Sequence, residues 1–239
     1  MKNQVLKLLF IVVSGFTSTT TIAQGNLEIE FKHIVGKQPL VLFDSLYTNN
    51  FNEPFVVNKL KYYISNITIY NNQIKTVKNG YYLIDASNSS THLINIIAST
   101  KNIDAIEFTI GVDSLKNTEG VQTGALDPMN GMFWTWNSGY IFAKLEGQSD
   151  SSKAASNYFT YHIGGYKNNE NALQNIHLKI NQPITNTKKI IIDVNVLKWF
   201  DGATPLRIAE TQICHQPGKL AQQIAKNYAS MFSIATVEE

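Results

Sequence analysis

The chain is 239 residues long, with 20 Lys+Arg against 18 Asp+Glu, 44% hydrophobic residues and one cysteine. Near-balanced charge without a basic run gives no reason to expect nucleic acid or an anionic membrane surface as partner. A lone cysteine excludes an internal disulfide, so stability must come from the core, and the length suits one large domain.

In chain order, Lys2 and Lys7 precede an apolar run from Leu8 to Phe16, and Thr21-Ile22-Ala23 offers small residues for cleavage. That pattern predicts a secretory signal peptide over residues 1–23, with an apolar run too short to span a bilayer. Removing Lys2 and Lys7 from the 20 Lys+Arg leaves 18 against 18. The expected mature chain is a single domain over 24–239, periplasmic or secreted, with no membrane insertion.

Strand signals then dominate. Leu27, Ile29, Phe31 and His33 alternate with Glu28, Glu30 and Lys32, as in a half-buried strand. Segments 60–70, 81–84, 106–112, 133–145, 158–163, 176–180 and 190–197 are rich in β-branched and aromatic residues. Asn71-Asn72, Asn79-Gly80, Asn88-Ser89-Ser90, Gln182-Pro183 and Asp201-Gly202 punctuate them. Two connections are long: Asp113 to Met132, a candidate functional loop, and the polar, Ser-rich stretch from Gly147 to Asn157. After Pro217, Leu220, Ala221, Ile224, Ala225, Tyr228 and Phe232 recur at helical spacing. The predicted fold is an all-β, antiparallel β-sandwich with one C-terminal amphipathic helix packed on it.

The most unusual stretch runs from Leu126 to Tyr140, with Trp134 and Trp136, Met129 and Met132, Asp127-Pro128 and Asn130-Gly131. On one continuous strand Trp134, Trp136, Tyr140 and Phe142 would share a face. They could form a sandwich core or accompany a metal.

Strand parity also sorts the histidines. His33 should point inward, where imidazole needs a hydrogen-bond partner or a metal. His162 stands before the paired glycines 164 and 165, His177 falls on the solvent parity, His92 lies in a polar loop and His215 follows Cys214. Taken singly, each is better explained as a structural residue than as a ligand. Asp113, Glu119 and Asp127 in the long loop could offer hard oxygen donors to calcium, although a solvated acidic loop explains them more simply and no regular calcium-loop spacing is present. Neither a nucleophile elbow, nor a His-Glu-x-x-His, nor a phosphate loop occurs, so no catalytic residue is assigned.

An ordered set of segments carries a resemblance: Glu30-Phe31-Lys32-His33-Ile34-Val35-Gly36, Leu60-Lys61-Tyr62-Tyr63-Ile64-Ser65-Asn66-Ile67, and Phe108-Thr109-Ile110-Gly111-Val112-Asp113. Leu126-Asp127-Pro128 leading into Gly131-Met132-Phe133-Trp134-Thr135-Trp136-Asn137-Ser138-Gly139-Tyr140 follows, then Lys144-Leu145-Glu146-Gly147 and Phe159-Thr160-Tyr161-His162-Ile163-Gly164-Gly165. The chain resembles the MbnP-like family of periplasmic copper-binding proteins. The resemblance implies a copper-binding β-sandwich with His33 and His162 as copper ligands. It also implies oxidation of Trp134 or Trp136 to kynurenine by a partner di-haem enzyme of the cytochrome c peroxidase type, so the chain would be acted upon and not be an enzyme. Two alternatives stand beside it. One is a metal-free surface module that binds carbohydrate or protein on a platform of Trp134, Trp136 and Tyr140. The other is a structural or interaction role, with calcium in the Asp113–Asp127 loop.

Overall fold

The computed structural model describes residues 24–72, 74–135, 138–181 and 186–239. The expected signal peptide lies outside them, as does Trp136. The strands in chain order are β1 (Gln24–Val35), β2 (Gln38–Pro39), β3 (Tyr47–Thr48), β4 (Pro54–Asn71), β5 (Ile74–Asp85), β6 (Leu93–Ser99) and β7 (Ile103–Ile110). They continue as β8 (Phe133–Thr135), β9 (Gly139–Gln148), β10 (Tyr158–Gly164), β11 (Gln174–Lys179), β12 (Lys189–Asn195), β13 (Ile213–Cys214) and β14 (Phe232–Glu238). Helices α1 (Ser114–Thr118) and α2 (Lys219–Tyr228) complete the list with several single 3₁₀ turns.

Two curled sheets face each other. The smaller runs β14-β12-β1-β2, with β6 also on β1; the larger runs β11-β7-β4-β9-β10-β13, with β3 and β5 on β4 and β8 on β9. Pairing is antiparallel except for β1 with β12 and β10 with β13. The predicted sandwich is therefore present, and its sheets are mixed.

Alternation explains why these segments fold as they do. On β1, Leu27, Ile29 and Phe31 are fully buried, and the intervening residues face outward. Phe31 makes edge-on ring contacts with Tyr62, Phe108 and Phe232, so one aromatic side chain ties together β1, β4, β7 and β14. Each such contact contributes about 0.5–1.5 kcal/mol beyond area burial. Strand β6 shows the same alternation, with Ile94, Ile96 and Ala98 inward. It was not assigned from the sequence, and neither was β14.

Two expectations change. Asn79-Gly80 is not a turn but part of β5, which runs through it. The expected single strand over 133–145 is instead a hairpin, because β8 folds back on β9 with Phe133 opposite Tyr140. Helix α2 buries Ala221, Ile224, Ala225 and Tyr228 as predicted, and Phe232 proves to open β14. Asn227, almost fully buried, donates to Trp199 O at 3.0 Å and Thr204 O at 2.6 Å, fastening the helix end to the preceding loop.

No helix among the described residues is long and apolar enough to cross a membrane.

Candidate functional site

The larger sheet carries a row of polar side chains across its outer face. Register aligns Asp85 on β5 with Lys61 on β4, Lys61 with Lys144 on β9, and Lys144 with His162 on β10. The adjoining row holds Lys59, Glu146 and Thr160. Inward neighbours of the same strands, Tyr62 and Phe159 among them, are fully buried, so parity sends this set outward.

His162 lies in this row. Its Nε2 is 2.7 Å from Glu146 Oε1, and Lys59 Nζ lies 2.9 Å from Glu146 Oε2. The His162 hydrogen bond first, then Lys59, hold the Glu146 carboxyl down to about 2 against the opposing effect of burial. Because a carboxylate only accepts, Nε2 of His162 carries a proton, and in the neutral ring this places the lone pair on Nδ1. His215, one residue past β13, stacks on His162 with ring centroids 4.2 Å apart, and its Nε2 lies 2.7 Å from Thr160 Oγ1. Burial, then His162, lowers the pKa of His215. Cys214 faces the other way into the core, where burial pushes its thiol up to about 11 and keeps it a neutral hydrophobe.

The long loop is strapped over this face. Tyr63 Oη donates to Ala125 O at 3.0 Å, Tyr140 Oη to Leu126 O at 2.7 Å, and Lys144 Nζ to Gly131 O at 2.6 Å. Buried Asn117 accepts from Tyr140 N at 2.8 Å. The strap delivers Trp134 to β10: a Cβ added at Gly164 would sit 3.0 Å from the indole and 2.3 Å from Tyr140 O. Only glycine permits that approach. Gly164 is two residues, or about 7 Å of strand, beyond His162. The Trp134 Nε1 is buried without a hydrogen-bond partner, which is costly for an indole N–H.

His33 lies elsewhere, on the inner side. It is 8% exposed, its Nε2 is 3.1 Å from Tyr62 Oη, and its ring centroid is 4.7 Å from that of His92. Burial first, and the nearby His92 second, lower its pKa to about 3, so it stays neutral. The sequence reading joined His33 and His162 as ligands; the structure separates them. His92 hydrogen-bonds to Asp85 O at 2.9 Å. From Asp85 to His162 are three strand spacings, about 14 Å. Each histidine has a different partner, His92 or His215, which spacing in the sequence could not reveal.

The remaining candidates take structural places. Asp113 caps α1 by accepting from Lys116 N at 3.1 Å and bonds Tyr81 Oη through its other oxygen. Asp127 caps the 3₁₀ turn at 128–130 by accepting from Met129 N at 2.8 Å. Glu119 pairs with Lys116. These roles account for the loop carboxylates without calcium. His177 is exposed beside Glu107 and Tyr70. Among the described residues no group of three or more His, Cys, Asp or Glu converges on a common point. The aromatic platform loses a member, because Tyr140 is 1% exposed under the strap.

Comparison with known proteins adds two findings. The family model described as MbnP matches residues 24–216. Among solved structures, the chain is similar to MbnP from Methylosinus trichosporium, with a TM-score of 0.59 and 13% identity, over 77% of this chain and 83% of that one. That likeness speaks to the fold. No curated protein matches.

Proposed function

This chain belongs to the MbnP family, and from that premise and the site geometry we propose that it is an exported copper-handling protein, periplasmic or secreted, in which Trp134 is oxidised to kynurenine. His162 and His215 are the copper ligands beside it, and the chain is the substrate of a di-haem peroxidase-type partner, not a catalyst.

The observation that carries this reading is Trp134 itself. Its indole packs against Gly164 on the His162 strand, and its Nε1 is a buried donor without a partner. Cleavage of the indole C2–C3 bond by the partner, with two equivalents of hydrogen peroxide as oxidant reduced to water, followed by hydrolytic loss of C2 as formate, replaces that stranded donor with an aryl amine and a carbonyl, groups that can turn toward a metal. The donor chemistry also fits copper, since imidazole suits it well. Glu146 bound to His162 Nε2 fixes the ring orientation and leaves Nδ1 as donor, as carboxylates do behind metal-bound histidines. Copper would supply a redox-active centre or travel as cargo.

Peptide mass spectrometry and copper analysis on protein from its native compartment test the proposal. Kynurenine at Trp134 with bound copper is the expected result, with binding weakened in His162→Ala and His215→Ala. Intact Trp134 in copper-loaded native protein would remove the modification, and unchanged affinity in both variants would remove the ligand assignment.

A further inference from the structure

We propose that Ser45 and Ser114 are acceptors for O-linked sugar, each presented within an exposed Asp-Ser-Leu tripeptide and modified after export. This rests on the export in the proposed function and on nothing in its copper site.

The tripeptide occurs twice, as Asp44-Ser45-Leu46 and Asp113-Ser114-Leu115. With 16 serines and 18 leucines in 239 residues, chance would place Ser-Leu after well under one of the eight aspartates. The copies occupy unrelated places, one between β2 and β3 and the other at the start of α1. A shared structural task therefore does not explain the shared sequence.

Both copies are held out to solvent. Tyr47 Oη accepts from Val41 N at 2.8 Å and donates to Pro39 O at 2.9 Å, and Phe43 N donates to Val57 O at 2.9 Å. These bonds pin the chain on either side of 44–46 and leave Leu46 70% exposed. At the other copy Asp113 caps α1, Ser114 is exposed and Leu115 is 63% exposed. One exposed leucine is ordinary, but two in the same relation to a serine are not. Neither serine Oγ has a hydrogen-bond partner among the described residues, whereas Ser149 Oγ and Ser152 Oγ donate to Pro54 O and Tyr158 O.

A free hydroxyl between a carboxylate and an apolar side chain gives a modifying enzyme three different handles in three residues. Phosphate is the poorer cargo, since its negative charge would sit beside the aspartate. A sugar is bulky and solubilising at a surface, and it would cover Leu46 and Leu115. In the transfer, serine Oγ attacks the anomeric carbon of a sugar carried on an isoprenoid diphosphate. The glycosidic bond forms as the bond from that carbon to the diphosphate breaks. The diphosphate leaves with the electron pair, the hydroxyl proton passes to a base on the transferase, and nothing is oxidised. Asp113 is also tied to Lys116 N and Tyr81, so Ser45 should be the more fully occupied. Asp150-Ser151-Ser152 has no leucine and should stay unmodified.

The test is intact-mass and peptide mass spectrometry on the chain purified from its own cells. The processed chain should exceed the mass of residues 24–239 by two equal sugar increments, both released by β-elimination in mild base. Ser45→Ala and Ser114→Ala should each lose one increment and the double variant both. Ser45→Thr, which keeps a hydroxyl, should retain its sugar, and Leu46→Ser should lose it. A processed chain without added mass overturns the inference and leaves export standing. An unmodified chain that keeps residues 1–23 overturns both. Sugar at Ser45 alone overturns the Ser114 assignment, and increments that persist in the double variant, or that prove to be phosphate, overturn the proposal.

Discussion

The two histidine pairs use the same side chain in contrasting surroundings. His33 is enclosed between the sheets and held by one phenol, with its partner His92 anchored to a backbone carbonyl. His162 and His215 lie on the outer face, stacked, and tied to Glu146 and Thr160 within a field of lysines. Burial lowers the pKa of His33 inside, and burial followed by His162 lowers that of His215 outside. In the inner site desolvation strips His33 of its proton, whereas in the outer site hydrogen bonding from His162 keeps Glu146 ionised. His33 is therefore part of the core, with His92 half-buried beside it, and the outer pair can change without disturbing it.

Four experiments sharpen or break this contrast, with stability measured on metal-free protein in each. The largest effect is expected for His33→Ala, which leaves Tyr62 Oη without its partner and opens a cavity: about 2–4 kcal/mol in urea denaturation. His215→Ala, at an exposed position, should cost less than about 0.5 kcal/mol. Equal losses would erase the distinction.

Next comes Gly164→Ala. Its Cβ would meet Tyr140 O at 2.3 Å, a backbone atom that cannot swing aside. A loss of about 1–3 kcal/mol is expected, with altered tryptophan fluorescence and unmoved NMR signals from His33 and His92. Wild-type fluorescence would mean that Trp134 is not seated on β10.

Acid should act on the two regions in sequence. His33 has a folded pKa near 3 against 6.5 unfolded, so its contribution is full above pH 6.5 and is lost as pH falls toward 3. Glu146, near 2 against 4.5, keeps its contribution above pH 4.5 and loses it on the way to 2. Melting temperatures between pH 7 and 5 should fall in wild type and stay flatter in His33→Gln. A parallel decline in both would assign the acid sensitivity elsewhere.

The smallest change is Glu146→Gln. Partly solvated ion pairs add little, so stability should move by less than about 0.5 kcal/mol. Copper affinity at the outer site should nonetheless fall about 10–100-fold, because His162 loses the group that orients it. Unaltered affinity would detach Glu146 from the metal site.

Much of this was legible in the residues, because the hydrophobic code is local. Leu27, Ile29 and Phe31 announce an inward face by their spacing alone, and the same rule placed the α2 stripe and sent His33 inward. The double-tryptophan segment and the ordered motifs gave the family, which the match over 24–216 bears out. The long loop stood out by length, and it proved to be the strap that brings Trp134 to β10.

Contacts between distant segments were decided only by the tertiary structure. Periodicity says which way a side chain points, but not which strand lies beside it. His33 and His162 both drew attention, yet strand order set three strand spacings between Asp85, beside His92, and His162. It gave His33 the neighbour His92 and gave His162 the neighbour His215. The reversal between Trp134 and Tyr140 was likewise unreadable, since a continuous strand and a tight hairpin share one β-rich composition. Residue type and spacing determined the sandwich and its candidates; register and strand neighbours, which depend on the whole chain closing at once, decided which of them meet.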